Sequence, residues 1–190
     1  MKIPQYFGPY GSSSLQYADK FIEYGVNAVW FHGFDEKAFE LCKKHKVAAC
    51  VEFKTFRADF NKHPELVPIG VDGKPIRYGD LVQGVCLSQT EFLEKTEAAL
   101  IKGIHDFYPE GIWFDYLTYA GWFEDPEPDL QEHCFCPDCI ADFCNATGID
   151  AETPKEILEH HQHAWTEHKT DRIAGFAKQY VEWIRSHCPT

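Results

Sequence analysis

The sequence predicts an α/β fold of TIM-barrel type, with four βα units forming half of a (β/α)8 barrel or a truncated one. Three observations lead there. Strand-like and helix-like stretches alternate along all 190 residues. The two longest connections follow the third and fourth strands, at the carboxyl ends where barrel enzymes carry their chemistry. The loop after the first strand, Gly8-Pro-Tyr-Gly11, lacks the spacing of a phosphate-binding glycine fingerprint, which speaks against an open nucleotide-binding sheet. We expect residues 1–190 to be a single domain, the N-terminal (βα)4 portion of the barrel. A complete barrel needs about 250 residues, so a fragment, a truncated product or half of an assembly is expected.

Each element has a local reason. Ile3 to Phe7 reads as the first strand, and Ser12 to Ser14 can cap a helix carrying Leu15, Ala18, Phe21 and Ile22 at helical spacing. Asn27 to His32 is the second strand. Asp35 can cap the next helix, with Ala38, Phe39, Leu41 and Cys42 on one face. Val47 to Phe53 is a near-continuous apolar run, as expected of a strand covered on both sides. A long connection to Leu87 contains the turn Asp72-Gly-Lys-Pro75, and a loop this long is uncommon unless functional. Ser88-Gln-Thr-Glu91 has capping-box form and opens the third helix. Gly111 to Leu117 is the fourth strand. A short helix follows around Cys136 to Cys144, and a final long helix opens at the capping box Thr153-Pro-Lys-Glu156.

Composition narrows the function classes. A net charge of -12 argues against nucleic acid and anionic membranes, which need clustered Lys and Arg. Aromatic content of 15% supplies either a large core or flat surfaces for stacking sugar rings. No apolar stretch approaches a membrane span, and no leader is visible at the start, so cytoplasm is the default expectation. Eight cysteines without a leader fit a reducing compartment.

Three of those cysteines sit within six residues, in the C-x-C-x2-C run Cys134, Cys136, Cys139. Thiolates at this spacing can face one point, and tetrahedral zinc needs four ligands. Cys139 falls in a first helical turn, where the helix dipole favours a thiolate. Cys86 is the preferred fourth ligand, with Cys144 and His133 as competitors. Four sulfurs leave no open position for water, so the zinc would be structural, pinning the third-strand loop to the fourth-strand loop. The bland alternatives are free thiols or a redox pair at Cys136 and Cys139.

Asp115 stands at the carboxyl end of the fourth strand, and alternation puts Trp113 on the same face. A carboxylate there is placed as a nucleophile or acid/base; structurally, it would only bond a loop. Tyr119, Trp122 and Glu124 lie just beyond and suit sugar binding, through stacking and hydroxyl contacts. Trp30, His32 and Glu52, near the ends of the second and third strands, could line the same pocket, though a core histidine and an ion-paired glutamate are the plainer readings. His160, His161, His163 and His168 read as a solvated helix face.

The stretches 71–89, 111–130 and 134–143 resemble glycoside-hydrolase barrels that carry a "DGIWLD" type motif at strand 4. The cysteine pattern is similar to that of family-42 β-galactosidases. By this resemblance Cys86, Cys134, Cys136 and Cys139 are zinc ligands, and Asp115 is the first catalytic carboxylate. The β-galactosidases carry Asn-Glu at the end of strand 4 where this chain has Asp115-Tyr116, so their glutamate is not transferred. The resemblance implies hydrolysis of O-glycosidic bonds of a carbohydrate. A half barrel would be weakly active or inactive alone, and would pair as a homodimer or with a partner that supplies the missing strands. The rival from another class is a non-catalytic, zinc-stabilised carbohydrate-binding or interaction module.

Overall fold

The structure is a computed structural model, and it describes residues 5–76, 84–121, 126–127 and 130–188. The chain divides into two compact units. One comprises Met1–Thr55, Glu97–Asp115 and Trp183–Thr190; the other comprises Phe56–Thr96 and Tyr116–Glu182.

The first unit is built on a parallel sheet of β1 (Ala28–His32), β2 (Ala48–Lys54) and β3 (Gly111–Asp115), in that order. Its two faces differ in kind. Val29, Phe31, Ala49 and Val51 share one face and are buried with Leu15, Ala18 and Phe21 and with Ala38 and Cys42. Val29, Phe31 and Val51 are fully excluded from solvent, and their burial contributes on the order of 6 kcal/mol. The helix α1 (Glu36–His45) supplies part of that cover. Asp35 caps it, accepting from the Ala38 N–H at 3.2 Å, and Lys46 closes it in the left-handed conformation. The other face carries Trp30 and His32 from β1, Cys50, Glu52 and Lys54 from β2, and Trp113 and Asp115 from β3. A single strand period thus separates an apolar, covered face from one bearing chemistry.

Among its described residues, Gln5 to Phe7, the expected first strand is not regular. Met1 to Pro4 lie outside the described residues, and the following segment pairs with β1 through one isolated parallel bridge, Tyr10 to Trp30. The Phe7 and Pro9 carbonyls accept from Asn27, Ala28 and Trp30, and the Gly11 N–H donates to Trp30. Pro9 has no N–H to extend the ladder. Gly8 runs so close to β1 that an added Cβ would lie 1.6 Å from the Ala28 carbonyl oxygen. Gly8→Ala is therefore expected to destabilise the protein by about 3 kcal/mol. A urea midpoint equal to that of the wild type would contradict this close approach. The helix that follows, Ser12–Lys20, is 3-10 with a kink at Tyr17, not α.

α2 (Thr90–Phe107) starts two residues after the expected cap, because the Ser88 hydroxyl is turned to a cysteine sulfur. From Glu97 onward it belongs to the first unit. Leu100 and Ile104 are buried, and Phe107 stacks on Phe39 at 4.8 Å and on Phe34 at 6.0 Å.

The second unit holds α3 (Pro137–Thr147), α4 (Pro154–His160) and most of α5 (Gln162–His187). The predicted single final helix is broken at His161, whose φ is -132°. Thr153 caps α4 as its sequence implies, accepting from the Glu156 N–H at 3.2 Å. Beyond the break, Trp165 is buried, stacked on Phe135 at 4.9 Å and edge-on to Phe143 at 5.3 Å. Burying this indole outweighs the continuity lost at one residue. His168 is not on a solvated face: it is buried and paired with Asp142 at 3.3 Å, which Arg172 also holds at 3.1 Å. His160 and His163 are exposed. No helix among the described residues is long and apolar enough to cross a membrane.

Candidate functional site

The second unit brings four sulfurs together. The Sγ atoms of Cys86, Cys134, Cys136 and Cys139 all lie within 4.8 Å of one another. Cys86 is 3.7 Å from both Cys136 and Cys139. A tetrahedral ion with bonds of 2.3 Å separates its sulfurs by about 3.8 Å, so the spacing fits a metal ion at their centre. Cys86, Cys134 and Cys139 are buried.

Local structure sets each thiol in place. Cys136 is the N-cap of α3 and Pro137 its first residue, which puts Cys139 in the first turn at the positive end of the helix dipole. The loop carrying Cys134 pairs with the segment at Ile69: Gly70 bridges His133, and the Phe135 N–H donates to Ile69 at 2.8 Å. The Cys86 N–H donates to Leu66, tying in the third segment. Donors converge on the sulfurs as metal thiolates require. The Ile69 N–H lies 3.1 Å from Cys134 Sγ, and the Ser88 hydroxyl 3.1 Å from Cys139 Sγ. Hydrogen bonds among the sulfurs hold Cys136 and Cys139 down toward the thiolate and push Cys86 and Cys134 up. Four adjacent thiolates repel one another, and a divalent cation would relieve this. Ser88→Ala removes one such donor, so it is expected to weaken metal affinity about 10-fold, read by competition with a chromophoric chelator. Unchanged affinity would show that the hydroxyl is only a neighbour.

The competing ligands lie outside this cluster. Cys144 donates to the Ala151 carbonyl at 3.3 Å, and His133 Nδ1 faces the Gln131 carbonyl at 2.7 Å. Burial lowers His133 to about 4. Cys42 and Cys50 belong to the first unit, where burial and Glu110 push both thiols up to about 11.

The first unit holds the other candidate constellation, on the polar face of the sheet. Register places His32, Glu52 and Trp113 side by side across the three strands. Glu52 is buried, and His32 Nδ1 lies 3.0 Å from its Oε1. The Tyr10 hydroxyl donates to Oε2, and the Tyr10 ring stands edge-on to His32 at 5.2 Å. Trp113 is 54% exposed and 6.2 Å from Tyr10. Trp30 sits one row back, edge-on to Tyr6. Asp115 ends β3, two residues beyond Trp113 on the same face. Its carbonyl is fixed by the N–H and hydroxyl of Thr55, both at 2.9 Å. Tyr116 then turns into the left-handed region and stops the strand.

Tyr119 belongs to the second unit, half-buried against His133 and beneath the Lys169 ammonium, 4.8 Å from its ring. With Leu117, Glu132 and Ile173 it lines a cavity of about 420 Å³. Trp122 and Glu124 lie outside the described residues. Sequence reasoning missed Tyr10, which stands in a loop without a pattern. Trp113 was legible as sharing Asp115's face, but was not singled out as a contact.

No family model matches the chain, and none of the curated proteins matches it. Among solved structures, 97% of the chain superposes on a β-galactosidase from the Antarctic haloarchaeon Halorubrum lacusprofundi, with a TM-score of 0.62 and 14% identity. A hypothetical protein from Ruminiclostridium thermocellum matches 67% of this chain over 81% of its own, with a TM-score of 0.48 and 15% identity. A maltogenic alpha-amylase from Thermotoga neapolitana matches 58% of this chain over 36% of its own, with a TM-score of 0.42 and 16% identity. The chain spans 34% of the length of the β-galactosidase. What it shares with that enzyme is an α/β fold.

Proposed function

We propose that this chain is part of a glycoside hydrolase-like protein that cleaves O-glycosidic bonds, with Asp115 as a catalytic carboxyl group and a structural zinc on the four cysteines. The carrying observation is the polar sheet face, where imidazole, buried carboxylate, exposed indole and Asp115 gather toward the carboxyl ends of parallel strands. Barrel enzymes use that end for chemistry, and glycoside cleavage needs a carboxyl group beside aromatic and hydrogen-bonding surface. Strand order supports a barrel over a doubly wound sheet. The order runs β1-β2-β3, and the segment at Tyr10 bridges β1, so four consecutive segments follow chain order without reversal, whereas a doubly wound sheet reverses within its first four strands. With the segment at Tyr10 as an irregular first strand, the four units read as half of a (β/α)8 barrel. Further strands would come from a second copy or a partner chain.

Zinc is the metal that four closed thiolates favour, and its role would be to fix loops, since no position is left open for chemistry. Trp30, His32, Tyr119, Trp122 and Glu124 are assigned to sugar binding, with the buried Glu52 acting through His32 and Tyr10. The test is hydrolysis of a panel of 4-nitrophenyl glycosides and oligosaccharides by the wild-type chain. Turnover abolished by Asp115→Asn supports the reading. Sugar binding that survives Asp115→Asn, without turnover of any substrate, would instead favour a non-catalytic carbohydrate-binding module.

A further inference from the structure

Glu52, His32 and Tyr10 form a unit that substrate binding alone does not account for. Glu52 has a side chain only 3% exposed, whereas that of His32 is 54% exposed. The carboxylate is therefore closed off, and the imidazole is the group that meets solvent. Each carboxylate oxygen has a donor: Oε1 faces His32 Nδ1 at 3.0 Å, and Oε2 takes the Tyr10 hydroxyl. A hydroxyl has one hydrogen, so Tyr10, while donating to Glu52, donates nothing to the imidazole beside it. The Tyr10 hydroxyl oxygen lies 3.2 Å from both ring nitrogens, but the Glu52 carboxylate at 3.0 Å is the stronger acceptor, so the hydrogen is assigned to Nδ1 and the lone pair of the neutral ring to Nε2. A buried carboxylate that fixes the tautomer of a half-exposed imidazole is the arrangement of a general base. The Tyr10 ring, nearly perpendicular to the imidazole at 82°, holds its plane from the side.

We propose that His32 is the catalytic base of the hydrolysis assigned above, with Glu52 and Tyr10 as its positioning residues; this rests on that assignment. In the step, His32 Nε2 takes a proton from water as the water oxygen bonds to the anomeric carbon. The bond from that carbon to the leaving oxygen breaks, and the Asp115 carboxyl protonates the leaving oxygen. The imidazolium then returns its proton to solvent, and Asp115 regains one. The spacing suits this division of roles. Asp115 is two strands across and two residues beyond His32 in register, which places their Cα atoms roughly 12 Å apart. Side chains rising from one face at that distance leave space for a water. Inverting pairs need such a gap, about 6.5–9.5 Å between the reacting groups. Trp113, beside Tyr10 and 54% exposed, offers a face on which the sugar ring can stack.

The test uses His32→Ala, Glu52→Gln and Tyr10→Phe, each checked for a wild-type urea midpoint, on the 4-nitrophenyl glycoside that the wild type cleaves best. His32→Ala should lose about 100-fold in kcat, with KM changed little. Added imidazole should restore part of the rate, which a purely structural histidine would not allow. Glu52→Gln should lose about 10-fold or more, and the sugar released should have inverted anomeric configuration by proton NMR. Independently of turnover, nitrogen-15 NMR of the wild type should show His32 with Nδ1 protonated; a neutral ring protonated on Nε2 overturns the proposal even if His32→Ala fails to fold. Full rate in His32→Ala, absence of imidazole rescue, or a retained anomer also overturns it, while wild-type turnover leaves the hydrolase reading standing. If the wild type cleaves no glycoside either as a monomer or at concentrations at which it self-associates, both fall.

Discussion

Cys86→Ser is expected to abolish the proposed zinc binding and, with it, several kcal/mol of folding stability. Structural zinc in four-ligand sites contributes about 10–16 kcal/mol of apparent binding free energy, coupled to folding. One thiolate of four therefore carries on the order of 3 kcal/mol, a loss of about 100-fold in affinity. The cost falls on particular contacts. Cys86 is held from Leu66, Cys134 from Ile69, and Cys136 with Cys139 from the start of α3, so the ion would cross-link two stretches distant in sequence, residue 86 and residues 134–139. Without it, four sulfurs lie within 4.8 Å of one another with no cation between them. Elemental analysis of protein purified without a metal-binding tag should give about one zinc per wild-type chain and little in Cys86→Ser. A chelator should shift the urea midpoint of the wild type far more than that of the variant. Cys144→Ser is the matched control, since its thiol bonds to the Ala151 carbonyl. Zinc retained in Cys86→Ser, or lost equally in Cys144→Ser, would contradict the four-cysteine assignment.

Asp115→Asn is expected to lower kcat by about 10²–10⁴-fold, the range for removing a proton-transferring carboxyl group. Stability should change by less than about 1 kcal/mol. The reason lies in which atoms hold the strand end. Thr55 bonds to the Asp115 carbonyl through its N–H and its hydroxyl, and Asn keeps that carbonyl. Activity and stability should thus separate. A large fall in the urea midpoint would mean that the carboxylate is structural. An active Asp115→Asn protein would remove Asp115 from the chemistry.

Much of this was legible in the sequence because it depends on short-range rules. Asp35 and Thr153 are caps in the structure because a side-chain oxygen three residues before an N–H meets it wherever a helix begins. The period of two placed Trp113 with Asp115 on one face. The C-x-C-x2-C run needed only a nearby helix start to gather its thiols, and Cys86 completes the cluster. What escaped depends on tertiary context. Tyr10 reaches Glu52 across 42 residues. The break at His161 reflects the burial of Trp165 between Phe135 and Phe143, which periodicity within the helix does not contain. His168 looked solvated because its partners, Asp142 and the ring of Phe143, come from α3. Ser88 has the form of a cap, but its hydroxyl sits at the cysteine cluster.

The measurement that bears most directly on the central claim is mapping of a monosaccharide on the nitrogen-15 NMR spectrum of the wild-type chain, titrated with galactose and glucose. Shifts are expected to saturate and to concentrate at His32, Glu52, Trp113 and Asp115, with Trp113→Ala weakening the binding about 10-fold. No saturable shift for either sugar, or shifts confined to residues away from the polar face of the sheet, would contradict it.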